Sequence, residues 1–108
     1  MRYMLLICVD DAVEVAPEER SAEPWVEEMQ RRGVRRDGSR LRPGSDATTV
    51  RLQAGEVVLS DGPFAETKEQ IAGYDVIECE DLDEAIEVAS KHPVAKFGAI
   101  EVRPFWEE

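Results

Sequence analysis

The sequence predicts an α+β domain in which two helices cover one face of a mainly antiparallel sheet, in the order strand, helix, hairpin, strand, helix, strand. Three observations predict it. Arg2–Val9 (RYMLLICV) is almost continuously apolar and is closed by Asp10 and Asp11, as a strand covered on both faces should be. Trp25, Val26, Met29 and Gly33 recur at helical spacing, so one face of a helix is apolar. Asp81-Leu82-Asp83-Glu84 supplies an aspartate oxygen for the first orphan amides and a glutamate three residues on, the pattern of a capped helix start.

The first helix has two plausible starts, Pro17 as a first-turn proline or Ser21 as N-cap with Pro24 inside the first turn, and the second is favoured. Glu27, Glu28, Gln30 and Arg31 fall largely outside its apolar face, and Gly33 ends it in the left-handed conformation. Acid early and arginine late suits the helix dipole. Val34–Asp46 is polar and punctuated by Gly38, Pro43 and Gly44, leaving room for a short strand around Ser39–Leu41 and then a loop. Thr48–Leu52 and Glu56–Ser60 are rich in β-formers and flank Gln53-Ala54-Gly55, which reads as a hairpin with a bulge.

Ile71–Glu80 reads as the next strand, with Tyr74, Val76 and Glu78 on one face and Gly73, Asp75, Ile77 and Cys79 on the other. In the second helix Leu82, Ala85, Ile86 and Ala89 form the expected buried stripe, and Pro93 forces an end by His92. Phe97–Pro104 is the last strand, its Gly98, Ile100 and Val102 facing opposite to Phe97, Ala99, Glu101 and Arg103. The helices leave one sheet face bare. That face would carry Tyr74, Val76, Phe97, Glu101 and Arg103, a mixture that a small domain rarely leaves uncovered. A homodimer with the two sheets facing each other would cover it and enclose a cavity.

With 108 residues, 43% of them hydrophobic, the chain fits a single domain, residues 1–108, that buries roughly two-thirds of its unfolded surface. The apolar opening is too short for a membrane span and lacks a signal-peptide cleavage site, so a soluble, cytoplasmic protein is expected. The formal net charge of -11 argues against nucleic acid, which rewards a basic stripe. The charge is uneven: residues 55–108 carry 4 basic and 14 acidic side chains, residues 1–54 carry 9 and 10. Arg31, Arg32, Arg35, Arg36, Arg40 and Arg42 could receive an anion or an acidic partner, but read first as a solvated helix end and loop. One histidine and the distant Cys8 and Cys79 match no metal spacing. No cofactor is expected. Both cysteines lie near the ends of neighbouring strands and read as packed thiols, with a redox pair as the alternative.

The run Asp61-Gly62-Pro63-Phe64-Ala65-Glu66-Thr67-Lys68-Glu69, the following Gly73-Tyr74, the helix start Asp81–Ala85 and the closing Glu101-Val102-Arg103-Pro104-Phe105 resemble the DGPF branch of the YCII-related proteins, and Tyr3–Ile7 is similar as well. The resemblance implies a ferredoxin-like βαββαβ protomer that pairs into a dimeric α/β barrel, with a biochemical role mostly unassigned in the family. It also implies an association with extracytoplasmic-function sigma factors, since many such proteins are encoded beside them. Better-studied relatives pair a histidine in the first helix with an aspartate; no histidine occurs between Pro17 and Gly33 here, so that dyad does not transfer.

Asp61 reads first as a turn residue beside Gly62 and Pro63 and, at the rim of a dimer cavity, is also a general-base candidate if burial raises its pKa; the two roles can coexist. Phe64 reads as a loop anchor. Thr67 and Lys68, with Glu66, offer a hydroxyl and a cation for a small organic anion. Tyr74 would donate its hydroxyl into the cavity as the catalytic partner of Asp61, or be a plain interface tyrosine. Glu101 and Arg103 share a face and either pair or hold a charged ligand. His92 reads as a dipole-stabilised helix cap. Two functions follow: a homodimeric small-molecule enzyme using carboxylate acid–base chemistry, or a non-catalytic ligand-binding or regulatory module.

Overall fold

The computed structural model describes residues 1–107. The first strand, β1 (Arg2–Val9), buries Tyr3, Leu5 and Ile7 beneath the helices, while Met4 and Leu6 alternate to the other face and stay half-exposed. A one-turn helix, α1 (Pro17–Arg20), precedes α2 (Glu23–Arg31). Both proline starts are thus used, one for each helix. Ser21 ends α1 in an extended conformation and does not cap α2, whose N-cap is Ala22 with no side-chain bond. Gly33 is left-handed, as expected, with φ 72°.

The strand expected around Ser39–Leu41 runs instead over Arg35–Arg40 as β2. Its composition hides it: RRDGSR has no β-branched residue, and pairing to a neighbouring strand supplies what propensity lacks. The hairpin is β3 (Thr48–Gln53) and β4 (Glu56–Asp61). Gln53 pairs with Glu56, leaving Ala54 and Gly55 at φ 50° and 79°, so the connection is a two-residue turn with both φ values positive rather than a bulged one. β5 spans Gln70–Glu78. α3 (Leu82–Ser90) is capped as read: the Glu84 amide donates to Asp81 Oδ1 at 2.9 Å, and Glu84 Oε1 accepts from the Glu80 amide at 2.8 Å. A 3-10 turn at Pro93–Lys96 leads to β6 (Ala99–Pro104).

The main sheet has the order β2-β5-β1-β6 with every neighbouring pair antiparallel, and β3 and β4 form a separate two-stranded ribbon. This is the strand order of a ferredoxin-like βαββαβ unit with an inserted hairpin. The core lies between the sheet and the helices, where Leu5, Met29, Ile77 and Val88 are fully buried. Each such side chain contributes about 1.5–3 kcal/mol of transfer free energy. The Trp25 indole N–H donates to the Val88 carbonyl at 2.9 Å, tying α2 to α3 where water is absent.

Four details depart from the sequence reading. The buried stripe of α3 is Ala85, Val88 and Ala89, while Leu82 and Ile86 are about half exposed, because the helix rolls its small residues onto the sheet. Phe97 follows the 3-10 turn instead of lying in β6, and packs against the core rather than on the bare face. Cys8 pairs with Ile71 whereas Cys79 bonds Met1, at opposite ends of the β1–β5 ladder; both are free thiols, and a redox pair is excluded. Phe64 anchors nothing and is 80% exposed.

Candidate functional site

A cleft of about 1000 Å³ opens on the helix-covered side of the sheet. Ile7 and Val9 of β1 floor it, α1 and α2 wall it with Arg20, Glu23 and Val26, and Val94 and Phe97 close the far end. Its volume suits a small organic ligand. Its polar lining includes Arg35, Asp75 and His92, and of these Asp75 and His92 are buried.

Asp75 is 6% exposed and alternates with Ile77 on the core side of β5, so the pleat carries a carboxylate under the helices. Arg35 meets it through an irregularity in the β2–β5 pairing: Arg35 lies opposite Ile77, yet Asp37 lies opposite Val76. One extra residue therefore reverses the alternation, sending Arg35 to the core side and Asp37 to the open side. Arg35 Nε donates to Asp75 Oδ1 at 2.8 Å, with side-chain exposures of 14% and 8%. Among the described residues no other hydrogen bond engages the Asp75 carboxylate or the Arg35 guanidinium. Burial raises the Asp75 pKa above the ordinary carboxylate value, an effect that Arg35 opposes and Asp37 reinforces.

Glycine is required beneath this pair. A Cβ on Gly38 would overlap Asp75 Oδ1 and lie 2.5 Å from Arg35 Nη2 and 2.8 Å from the Tyr74 carbonyl oxygen. The absent side chain is the space the ion pair fills.

His92 is not a charged helix cap. It follows α3, is 4% exposed, and its Nδ1 accepts from the Val94 amide at 3.1 Å, capping the 3-10 turn. Burial lowers its pKa to about 4, so the ring is neutral at pH 7 and its proton resides on Nε2. The ring stands edge-on to Trp25 with centroids 4.8 Å apart.

Of the residues expected to act at the dimer face, Tyr74 is also among those that line this cleft, and Asp61, Thr67, Lys68, Glu101 and Arg103 lie elsewhere. Tyr74, Glu101 and Arg103 keep the parity expected and occupy the open sheet face: Leu6 stands between Tyr74 on β5 and Glu101 on β6, and Met4 between Val76 and Arg103. Glu101 and Arg103 form an exposed ion pair. Thr67, Lys68 and Glu101 border a shallower recess of about 660 Å³ together with Cys8 and Asp10. The Thr67 hydroxyl donates to the Glu69 carbonyl at 2.5 Å, and Gln70 Nε2 donates to the Thr67 carbonyl, which holds the loop. Asp61 is exposed at the end of β4 opposite Thr48 and borders neither recess. The adjoining turn has the geometry expected of glycine, with φ 93° at Gly62, its amide donating to Ala47 and its carbonyl accepting from the Thr49 hydroxyl.

The sequence reading did not bring Arg35, Asp75 and His92 together, for separate reasons. Asp75 had a signal, a charge at a core parity of β5. Arg35 stood among six arginines that could receive an anion, but nothing marked it out from the other five, because the pairing irregularity that turns it inward is a property of two strands together.

Among the described residues no group of three or more His, Cys, Asp or Glu side chains could hold a metal, and no helix is long and apolar enough to cross a membrane. Fold and cleft together define a small ferredoxin-like α+β protein with a pocket between its helices and its sheet. The family model of the YCII-related domain matches residues 1–108, and the chain belongs to that family. It is similar to an uncharacterized protein of Rhizobium meliloti (strain 1021), 48% identical over 68 residues. That match covers 61% of this chain and spans about 55% of the relative's length.

Proposed function

We propose that this YCII-related protein binds a small organic acid in the helix-side cleft and moves a proton on it. Asp75 is the proton-transferring group, the unengaged N–H groups of Arg35 hold the ligand's anionic end, and neutral His92 donates from Nε2. The observation that carries this reading is the buried carboxylate of Asp75, one oxygen held by Arg35 and the other without a protein partner, beside a cavity of ligand size. Desolvation brings its pKa towards the range in which a carboxyl both takes and gives a proton. The apolar floor of Ile7 and Val9 lowers the local polarity and so strengthens charged contacts made against it.

The test is a thermal-shift and NMR screen with short carboxylic acids. A binding acid raises Tm, moves the Asp75 Cγ and His92 Nε2 resonances, and loses about tenfold or more in affinity in Arg35→Gln, since a charged hydrogen bond contributes about 1.5–3 kcal/mol. An acid that binds without disturbing either resonance would remove the cleft from the function.

A second reading keeps the acid–base role on the open face. There Asp61 would be the proton acceptor, Tyr74 the donor, and Thr67, Lys68, Glu101 and Arg103 the holders of an anion, within a cavity closed by a second copy. It is supported by the half-buried Met4–Leu6–Tyr74–Val76 strip bordered by the Glu101–Arg103 pair. Turnover unaffected by Tyr74→Phe and Asp61→Asn would remove it. Regulation of a sigma-factor system through this dimer is the non-catalytic form of the same reading.

A further inference from the structure

The helix side of β2 carries a second guanidinium in line with the first. Arg35 lies opposite Ile77, Gly38 opposite Asp75 and Arg40 opposite Gly73. Ile77 and Asp75 face the core, so Gly73, two residues before Asp75, faces it too, and directly opposed residues point to the same side. Arg40 accordingly lines the cleft with Arg35 and Asp75. The space between the two arginines is open, because Gly38 and Gly73 bring no side chain into it. Along the strand direction the order is cation, carboxylate, cation, about 13 Å from end to end at the rise of a β-strand.

We infer, resting on the proposed role of Arg35 and Asp75, that the organic acid held in this cleft is a dicarboxylic acid whose second carboxylate is bound by Arg40. Arg35 takes one carboxylate, Arg40 the other, and Asp75 faces the hydrocarbon between them. Each guanidinium keeps a pair of N–H groups that match the two oxygens of a planar carboxylate. Ile7, Val26 and Phe97 line the same cleft and supply the apolar contact for the carbon chain. A ligand with one carboxylate leaves one of the two cations with nothing to bind.

Charge on the walls favours this placement. Arg32 is tied to Glu28, Glu84 and Glu87, and Arg42 to Asp46. Among the described residues no hydrogen bond or ion pair engages the Arg40 guanidinium. In a chain of net charge -11, an arginine without a carboxylate of its own, set in a cleft of ligand size, is placed for one that a ligand brings. Glu23 and Glu27, which line the cleft from α2, repel an anion from that wall, so both carboxylates are directed to the strand side. Arg20, the last residue of α1, also lines the cleft, but it stands off the strand line of Arg35 and Arg40, and its Nη2 donates to the Val13 carbonyl at 3.4 Å.

Isothermal titration calorimetry on the full chain tests this, with glutarate, adipate and pimelate set against pentanoate, hexanoate and heptanoate. At least one diacid is expected to bind about tenfold or more tighter than the monoacid of equal length. Arg40→Gln, at an exposed position, should abolish that advantage and leave monoacid affinity unchanged, because it removes only the second contact. Arg42→Gln, outside the cleft, should alter neither. A diacid preference that survives Arg40→Gln overturns the inference, as does one lost equally in Arg42→Gln. Monoacid binding that depends on Arg35, with no diacid preference in the wild type, also overturns it and leaves the proposed role of Arg35 standing. Binding of neither class of acid removes both.

Discussion

Arg35 and Asp75 sit on adjacent strands, and the 2.8 Å bond between Nε and Oδ1 exists because one irregularity in the β2–β5 pairing turns Arg35 inward. Without that extra residue Arg35 and Asp37 would share a face, and Asp75 would be a buried carboxylate with no cation. The cost of such a state decides what substitutions here should do.

Removing one partner leaves the other charge uncompensated in a largely desolvated place. Arg35→Leu is expected to lower unfolding free energy by about 3 kcal/mol in urea titration, the lower end for buried pairs because the cleft admits some water. Arg35→Leu/Asp75→Leu should lose less than the two single variants combined, since no orphan charge remains. Additive losses would mean the two groups do not interact.

Gly38→Ala should damage the pair without altering either member. The new Cβ collides with Asp75 Oδ1, Arg35 Nη2 and the Tyr74 carbonyl, and part of that contact is backbone that cannot swing away. A loss of about 1–3 kcal/mol is expected, with the largest NMR shift changes at Arg35 and Asp75. A variant as stable as the parent would show that the strands separate freely.

His92 sets an acid limit on stability. Its folded pKa of about 4 lies below the ordinary value of 6.5, so between these pH values the unfolded chain binds the proton and the folded one does not. The contribution is fully present above pH 6.5 and is lost as pH falls towards 4. Asp75, whose pKa is raised, acts in the opposite sense, its contribution being lost as pH rises through its folded value. Tm measured from pH 7 to pH 4.5 should fall, and His92→Gln should flatten that fall while lowering Tm at pH 7, since the ring packs on Trp25.

Trp25→Phe keeps most of the buried ring but removes the indole N–H bond to the Val88 carbonyl at 2.9 Å, leaving that carbonyl the longer 3.3 Å bond from the Lys91 amide. A loss of about 0.5–1.5 kcal/mol is expected, and hydrogen exchange should rise in α3 more than in β1. Equal protection in both would show that the bond does not tie the helix down.

Neither thiol should react readily in the native state. Burial pushes Cys79 up to about 11 and raises Cys8 as well, with Glu101 and Glu69 adding to the latter. Alkylation at pH 8 should be slower in the folded protein than in urea, because the thiolate is the reactive form. Oxidation should yield no intramolecular disulfide.

The sequence by itself determined the order of elements, the cap at Asp81, the left-handed Gly33 and Gly62, and the parity of Tyr74, Glu101 and Arg103. Each of these is local: it follows from the period of a strand or helix, or from what one side chain can bond nearby. Tertiary structure alone decided that RRDGSR is a strand, that Leu82 and Ile86 face solvent, that Arg35 turns inward to Asp75, and that His92 is a buried neutral ring. In every one of those cases the deciding quantity is what a distant segment brings alongside: a neighbouring strand to bond, a sheet surface to roll against, or a layer that removes water from a charge. The hairpin shows both halves of this, for its turn and pairing are written in its own residues, while its apolar face of Val50, Leu52, Val57 and Leu59 finds no cover among the described residues of its own chain.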